Sequence, residues 1–212
     1  HLIHLAILIP AAGASTRMRG ADKCFEDVSG TPCLTTMIQR ALKVTNYVVV
    51  TIPSADHRRG DLTEGAISVV CENAQEGMSA SLKIGVASLP SHTTALMILP
   101  ADMPSITASD LSMMWAVFQA SHLKVLQAAT SDGIAGHPVI FDKSLFAQFD
   151  ELSGDRGAVS IINGNAKLHG LIQLEGDRAI LDLDTPEAWN KWRADSKLSG
   201  LAALLGNQYR DS

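Results

Sequence analysis

The sequence predicts a three-layer α/β/α sandwich around a mainly parallel, mixed sheet, and three observations carry that expectation. Strand-like and helix-like segments alternate almost throughout the 212 residues, the pattern of βα units wound onto one sheet. Prolines stand at the ends of several of these segments, at Pro53, Pro90 and Pro100, where a residue without a backbone N–H stops a strand or helix. The residues with chemical potential fall just after strands, where ligands gather in sheets of this kind.

The elements follow in order. Leu5 to Ile9 is a hydrophobic strand that must end in the loop from Pro10 to Lys23. Pro32 to Lys43 reads as a helix, with Leu34, Ile38, Ala41 and Leu42 on one face. Asn46 to Ile52 is a β-branched strand, Ala55 to Glu64 a polar helix or loop, and Ile67 to Cys71 a short strand. Gly77 to Leu89 reads as a helix and Ala95 to Leu99 as a strand. Ala108 to Gln119 sets Leu111, Met114, Trp115 and Phe118 at helical spacing, a stripe that belongs to a core. Strands are expected at Lys124 to Ala129 and Pro138 to Phe141, then a helix from Lys143 to Phe149. Late strands are expected at Leu168 to Leu174 and Ile180 to Leu183, before a helix from Pro186 to Ala194. A separate short amphipathic helix is expected from about 198, over Leu198 to Leu205. One domain spanning 1–212 accommodates all of this, without repeat, low-complexity segment or linker.

Composition narrows the function. At 46% hydrophobic and 18% charged the chain is an ordinary globular protein. A net charge of −5 argues against nucleic acid as a partner, which would need a basic face. An anionic substrate must then meet a local cluster of cations. Three cysteines, Cys24, Cys33 and Cys71, lack Cys-x-x-Cys spacing and fit free thiols in a reducing cytoplasm. The apolar N-terminal run has no basic flank or cleavage site, so no secretion signal is expected, and no stretch reaches membrane-spanning length.

Five clusters carry the chemistry. In the first loop, Ala11, Ala12 and Gly13 offer backbone N–H groups, and Arg17 and Lys23 follow at a distance that folds both cations back over it. Amides plus fixed cations suit a polyphosphate, although an ordinary strand-to-helix turn explains Ala-Ala-Gly alone. Neither a P-loop nor a Gly-x-Gly-x-x-Gly is present. After the Ala95 strand, Asp102 lies between Pro100 and Pro104 and is placed to hold Mg²⁺. Its alternative, capping the helix near Thr107, is open equally to Ser105 and Thr107. Asp182 and Asp184, two apart, share a face if that segment is a strand. Asp184 or Thr185 before Pro186 is also a good helix start. Gly77, Met78 and Ser79 turn into a helix, where exposed N–H groups and hydroxyls suit a base edge and Ser79 equally suits a cap. His137, in Gly136-His137-Pro138, and Arg156, in Gly154-Asp155-Arg156-Gly157, are loop residues suited to an anionic second substrate or to structural turns.

In this order the clusters resemble the MobA-like nucleotidyltransferase family over nearly the whole chain, most closely its molybdenum cofactor cytidylyltransferase branch. The family start stands here as Ala11-Ala12-Gly13-Ala14-Ser15-Thr16-Arg17-Met18 with Lys23; Glu76 to Leu82, Asp102-Met103-Pro104, Gly136 to Pro138, Gly154 to Gly157 and Asp182 to Pro186 follow in register. Arg19 stands where the family usually has Gly, and Cys24-Phe25-Glu26-Asp27 where it commonly runs aliphatic. The resemblance implies the nucleotide-diphospho-sugar transferase type of sandwich. It implies transfer of CMP from CTP to the phosphate of a molybdopterin-type acceptor, with Mg²⁺ as cofactor and pyrophosphate released. The alternatives are a guanylyltransferase of the same fold, using GTP, a sugar- or alcohol-phosphate nucleotidyltransferase, and a non-catalytic nucleotide sensor or cofactor chaperone. Arg17 and Lys23 would then serve the triphosphate, Ala11, Ala12 and Gly13 would cradle it, and Asp102 and Asp184 would hold the metal. Gly77, Met78 and Ser79 would meet the base, and His137 and Asp155 the acceptor. A client molybdoenzyme or its chaperone is the further partner so implied.

Overall fold

The computed structural model describes residues 4–208; the two ends of the expected domain, 1–3 and 209–212, lie outside the described residues. Strands β1 (Leu5–Pro10), β4 (Val48–Ile52), β5 (Ile67–Val70), β6 (Ala95–Ile98), β7 (Val125–Ala129), β8 (Ala135–Asp142) and β9 (His169–Gln173) form a seven-stranded sheet in the order β5-β4-β1-β6-β8-β7-β9. β1 pairs in parallel with β4 and β6, β4 with β5, and β7 with β9, whereas β8 runs antiparallel to both β6 and β7. The mixed, mainly parallel sheet expected from the sequence is borne out. Asp27–Val28 (β2) and Thr31–Pro32 (β3) add a two-residue hairpin that sequence periodicity is too short to reveal.

Side-chain alternation along each strand builds the two outer layers. Leu5, Ile7 and Ile9 of β1 and Val48, Val50 and Ile52 of β4 bury against one set of helices. These are α1 (Cys33–Leu42), through Leu34, Met37 and Ile38, and α3 (Ala108–Ala120), through Leu111, Met114 and Phe118. On the other face Leu8, Val49, Leu96 and Ile98 meet Leu82 of α2 (Met78–Ala87), Phe149 of the 3₁₀ segment Lys143–Glu151, and Ile161 of α4 (Val159–Gly164).

Two expected elements are corrected. Ile180 to Leu183 is no strand: Ile180 N donates to Asp177 O (3.0 Å), Asp182 N to Ile180 O (3.1 Å) and Leu183 N to Asp102 O (2.9 Å). Local turns and one loop contact thus take the donors a ladder would need. Nor does a separate helix begin near 198, because α5 runs unbroken from Pro186 to Gln208. The polar stretch read as a break folds back onto its own helix: Lys191 pairs with Asp195 (2.7 Å), Ser196 Oγ donates to Trp192 O (2.8 Å) and Ser199 Oγ to Asp195 O (3.0 Å). Among the described residues no helix is long and apolar enough to cross a membrane.

Candidate active site

The strand order carries the chain outward from β1 to β4 and β5, then back to β6 on the other side of β1, so the crevice opens at the carboxyl ends of β1 and β6. Leu99 N donates to Leu8 O (2.9 Å) as the two strands leave the sheet together. Past β1 the loop winds through 3₁₀ turns at Thr16–Met18 and Lys23–Phe25, the second capped by Asp22, whose side chain accepts from Cys24 N. Past β6 the chain is held from below. Arg40 Nη1 donates to Pro104 O (2.6 Å) and Ile106 O (2.7 Å), and Cys33 Sγ to Ala101 O (3.1 Å). Thr107 caps α3 in a reciprocal box with Asp110, which leaves Asp102 without a capping duty. Thr185 Oγ1 likewise accepts from Ala188 N (3.2 Å) at the start of α5, leaving Asp184 outside that cap.

The side chains then converge. Lys23 Nζ lies 2.7 Å from Asp102 Oδ2 and 2.8 Å from Asp184 Oδ1, and Arg17 Nη2 lies 2.7 Å from Asp184 Oδ2. Asp182 joins them, although its partnership with Asp184 comes from an extended loop tied to Asp102 rather than from a strand. Carboxylate oxygens of Asp102, Asp182 and Asp184 lie within 4.8 Å of one another. Burial raises the Asp102 carboxyl above its ordinary range, against the opposing pull of Lys23. Burial would lower the Lys23 ammonium, but Asp102 and Asp184 raise it on balance. Burial would also raise Asp184, but hydrogen bonding from Asp182 and Lys23 holds it well below the usual carboxylate range. Asp182 is pushed up to about 6 by its partial burial and by Asp184 and Asp102. Three hard oxygen donors of this kind fit Mg²⁺ or Mn²⁺.

A pH dependence follows. Ionising Asp182 beside two carboxylates is unfavourable, so its protonated form stabilises the metal-free fold and that contribution is lost as pH rises through about 6. For a divalent cation the sign reverses, because the ion competes with that proton. Mn²⁺ affinity, measured by calorimetry, is expected to weaken roughly tenfold on going from pH 7 to pH 5. A flat affinity across that range would show that the Asp182 proton does not compete with the ion.

Two cavities adjoin the cluster. One of about 470 Å³ is bounded by Ala11, Gly13, Arg17, Lys23, Gly77 and Met78. The second, of about 280 Å³, lies over Asp102, Gln127, His137, Phe141 and Arg156. Lys23, Met78 and Asp155 border both. Ala12 faces an adjoining recess with Pro53, Ala74 and Gln75. Gly77 has φ +101°, and a Cβ there would sit 2.2 Å from Asp155 Oδ1, so the residue seats the 154–155 turn against α2. Gly136 has a different reason: a Cβ would meet Ala179 O at 1.8 Å, and His137 N donates to that same oxygen (2.8 Å). The surrounding protein lowers the His137 imidazole below its ordinary pKa. Ser79 stays off the cavity walls. Its hydroxyl is buried without a protein partner among the described residues, it does not cap α2, and its amide donates to Gly154 O (3.1 Å).

The departures from the family pattern also find places. Arg19 takes a left-handed conformation (φ 52°, ψ 50°), which glycine adopts without strain, and forks onto Glu187 of α5 at 2.5 and 3.2 Å. Glu26 turns away from the crevice to pair with Arg193. Cys24 is buried, which pushes its thiol up to about 12. Arg59, in the polar segment before β5, was not singled out by the sequence, yet it lines the larger cavity. Nothing in its spacing marks it, because its partners lie 37–48 residues away.

Cations beside a small-residue loop, with three clustered carboxylates opposite at the switch point of a mixed sheet, fit the class that the family match shows: a nucleotidyltransferase. The chain belongs to the MobA-like family, residues 7–170 matching the MobA-like NTP transferase domain. It is 24% identical over 209 residues to a molybdenum cofactor guanylyltransferase of Serratia proteamaculans (strain 568), covering 91% of this chain and 95% of that protein. Among solved structures it is similar to Rv0371c from Mycobacterium tuberculosis H37Rv, with TM-score 0.78 and 22% identity over 91% of this chain and 98% of that one. A manganese complex of Rv0371c superposes with TM-score 0.74 at 19% identity, covering 90% and 98% of the two chains.

Proposed function

We propose that the protein transfers CMP from CTP to the terminal phosphate of a molybdopterin-type acceptor and releases pyrophosphate in the cytoplasm. The observation that carries this is Lys23 Nζ seated between Asp102 and Asp184 at the foot of the 11–15 loop. An acceptor phosphate monoester has a second pKa of about 6 and is mostly ionised at neutral pH, so no general base is needed. Its oxygen attacks the α-phosphorus, the new P–O–P linkage forms, and the bond to the β-phosphate breaks with its electron pair leaving on pyrophosphate. What remains for the protein is alignment and charge neutralisation.

Arg17 and Lys23 bind the triphosphate and offset the charge that grows on pyrophosphate, while the amides of Ala12 and Gly13 line its path. Gly77 and Met78 meet the base. His137 and Asp155, with Arg156 beside them, orient the acceptor in the smaller cavity. A divalent cation held by Asp102 and Asp184, with Asp182 beside them, would supply charge neutralisation between the phosphates. Its presence is supported by the three-carboxylate donor set and by manganese in the mycobacterial structure; Mg²⁺ is the ion proposed here. Incubating the purified protein with each nucleoside triphosphate, Mg²⁺ and molybdenum cofactor, then weighing the dinucleotide, tests the reaction. Absence of any dinucleotide and of pyrophosphate would overturn it.

Base choice has a specific rival, because the Serratia relative is a guanylyltransferase. The cytidylyl reading rests on Ala12, 3% exposed: in the family that this chain resembles, guanylyl members more often carry Ala-Gly-Gly in this loop, and the Ala12 methyl takes space that a glycine there leaves open. One methyl in a tight pocket discriminates by about 1–3 kcal/mol. CTP is therefore expected to exceed GTP by at least ~10-fold in kcat/KM, and Ala12→Gly to narrow the gap without abolishing CTP use. A preference of the unaltered protein for GTP would transfer the assignment to the guanylyl reading.

A further inference from the structure

Arg59 sits in the turn Arg58–Leu62 after β4, and only 3% of it is exposed. Nη1 donates to Ala11 O (2.7 Å) and Gly13 O (2.6 Å), Nη2 to Ser15 Oγ (3.3 Å) and Nε to Asp22 Oδ2 (2.8 Å). The other carboxylate oxygen of Asp22 accepts from Cys24 N (3.0 Å). One ion pair, buried at Arg59 and half-buried at Asp22, therefore grips the loop at both ends, at 11–15 and at 22–24. A guanidinium this buried persists only when its charge is paired and its donors are satisfied. Here one carboxylate and three acceptors of a single loop do both.

Peptide geometry gives the grip a direction. In a trans peptide the C=O and the following N–H point opposite ways. Holding the carbonyls of Ala11 and Gly13 on Arg59 turns the amides of Ala12 and Ala14 away from it. Among the described residues the amides of Ala12, Gly13 and Ala14 donate to no protein acceptor. Ser15 is held in the left-handed region (φ 52°, ψ 36°), where a residue with a side chain needs its surroundings to keep it. Lys23 stands between Asp22 and Cys24, so the same clamp sets the origin of the side chain that reaches Asp102.

We infer that Arg59 and Asp22 are a positioning pair that pre-forms the phosphate-binding loop, touching no phosphate themselves but holding the loop amides outward and Lys23 in register. This rests on the nucleotidyltransferase reading and deepens it. Preorganised donors bind a polyphosphate more tightly than donors that must first be ordered. The effect should grow with the number of phosphates that the loop holds.

The test is calorimetry of the full chain with CTP and CMP, and with GTP and GMP in parallel, for the unaltered protein, Arg59→Lys and Asp22→Asn, alongside thermal melts. Lysine keeps a charge near Asp22 but cannot fork onto two carbonyls and Ser15 at once. Triphosphate affinity is expected to fall ~10-fold or more in each variant, with monophosphate affinity changed less than ~3-fold. Should Arg59→Lys fail to fold, the near-isosteric Asp22→Asn decides. Folded variants with lower melting temperatures but an unchanged triphosphate-to-monophosphate ratio would overturn the inference, since a merely structural brace would do only that. An unaltered protein that binds triphosphate normally while both variants match it would overturn the inference alone. An unaltered protein that binds no triphosphate would overturn the nucleotidyltransferase reading and the inference with it.

Discussion

Asp102→Asn is expected to leave the protein folded and to lower turnover by at least ~100-fold. The residue is 8% exposed, and asparagine fills its volume while its side-chain oxygen still accepts from Lys23. Packing around Pro100, Ala101 and Met103 should survive, and the melting temperature should move by only a few degrees. What disappears is the charge. Asp102 is one of three carboxylates within 4.8 Å of one another, and its full negative charge is what the proposed ion between phosphates would require. Burial already opposes ionisation at Asp102, and Lys23 counters that opposition. The neutral variant therefore abolishes an interaction that the site maintains against a cost. Pyrophosphate release at saturating Mg²⁺, with Mn²⁺ affinity measured on the same sample, separates the outcomes. Near-normal turnover would remove Asp102 from the metal site.

The contrast between Asp102 and Asp182 shows how far residues speak for themselves. Asp102 was legible because it follows a strand and has prolines on both sides, and because two hydroxyl residues stood ready to cap α3. Thr107 does cap it. Asp182 was noticed through strand periodicity, and the strand does not exist. The residue reaches the cluster because Leu183 N hydrogen-bonds Asp102 O and because Trp189 Nε1 donates to Leu183 O (3.0 Å), contacts over 81 and 6 positions that no local pattern encodes. The sheet was legible because continuous apolar runs between turn residues mark strands wherever they pair. The 3₁₀ turns, the β2–β3 hairpin and α4 are too short for periodicity to register. The unbroken α5 was hidden by serines and an aspartate whose side chains bond their own helix. Arg59 was hidden most completely, since a polar residue in a polar segment looks like solvent-facing surface until a loop from another strand closes over it.

Lys23→Ala is expected to lower kcat by ~100-fold, the scale of losing one preorganised charged donor to a developing anion, and to leave a second mark in the resting protein. In the unaltered site the ammonium bridges Asp102 and Asp184 at 2.7 and 2.8 Å, so it stands where a divalent ion's charge would act. Among the described residues its removal leaves Asp102, Asp182 and Asp184 facing one another with Arg17 alone for balance, and Arg17 pairs there only with Asp184. Like charges at this range hold protons more tightly. The native carboxyls then bind more protons than the unfolded chain does, so the metal-free variant should lose stability relative to the unaltered protein as pH rises through the range in which these carboxyls ionise. Mn²⁺ should reverse this, raising the melting temperature of Lys23→Ala by more than that of the unaltered protein. Nucleotide binding supplies the second arm. In the proposed reaction Lys23 binds the leaving pyrophosphate, so CTP affinity should fall further than CMP affinity. Equal losses for CTP and CMP would place Lys23 away from the β- and γ-phosphates. A melting temperature equally responsive to Mn²⁺ in both proteins would show that the lysine does not occupy the position from which the ion acts.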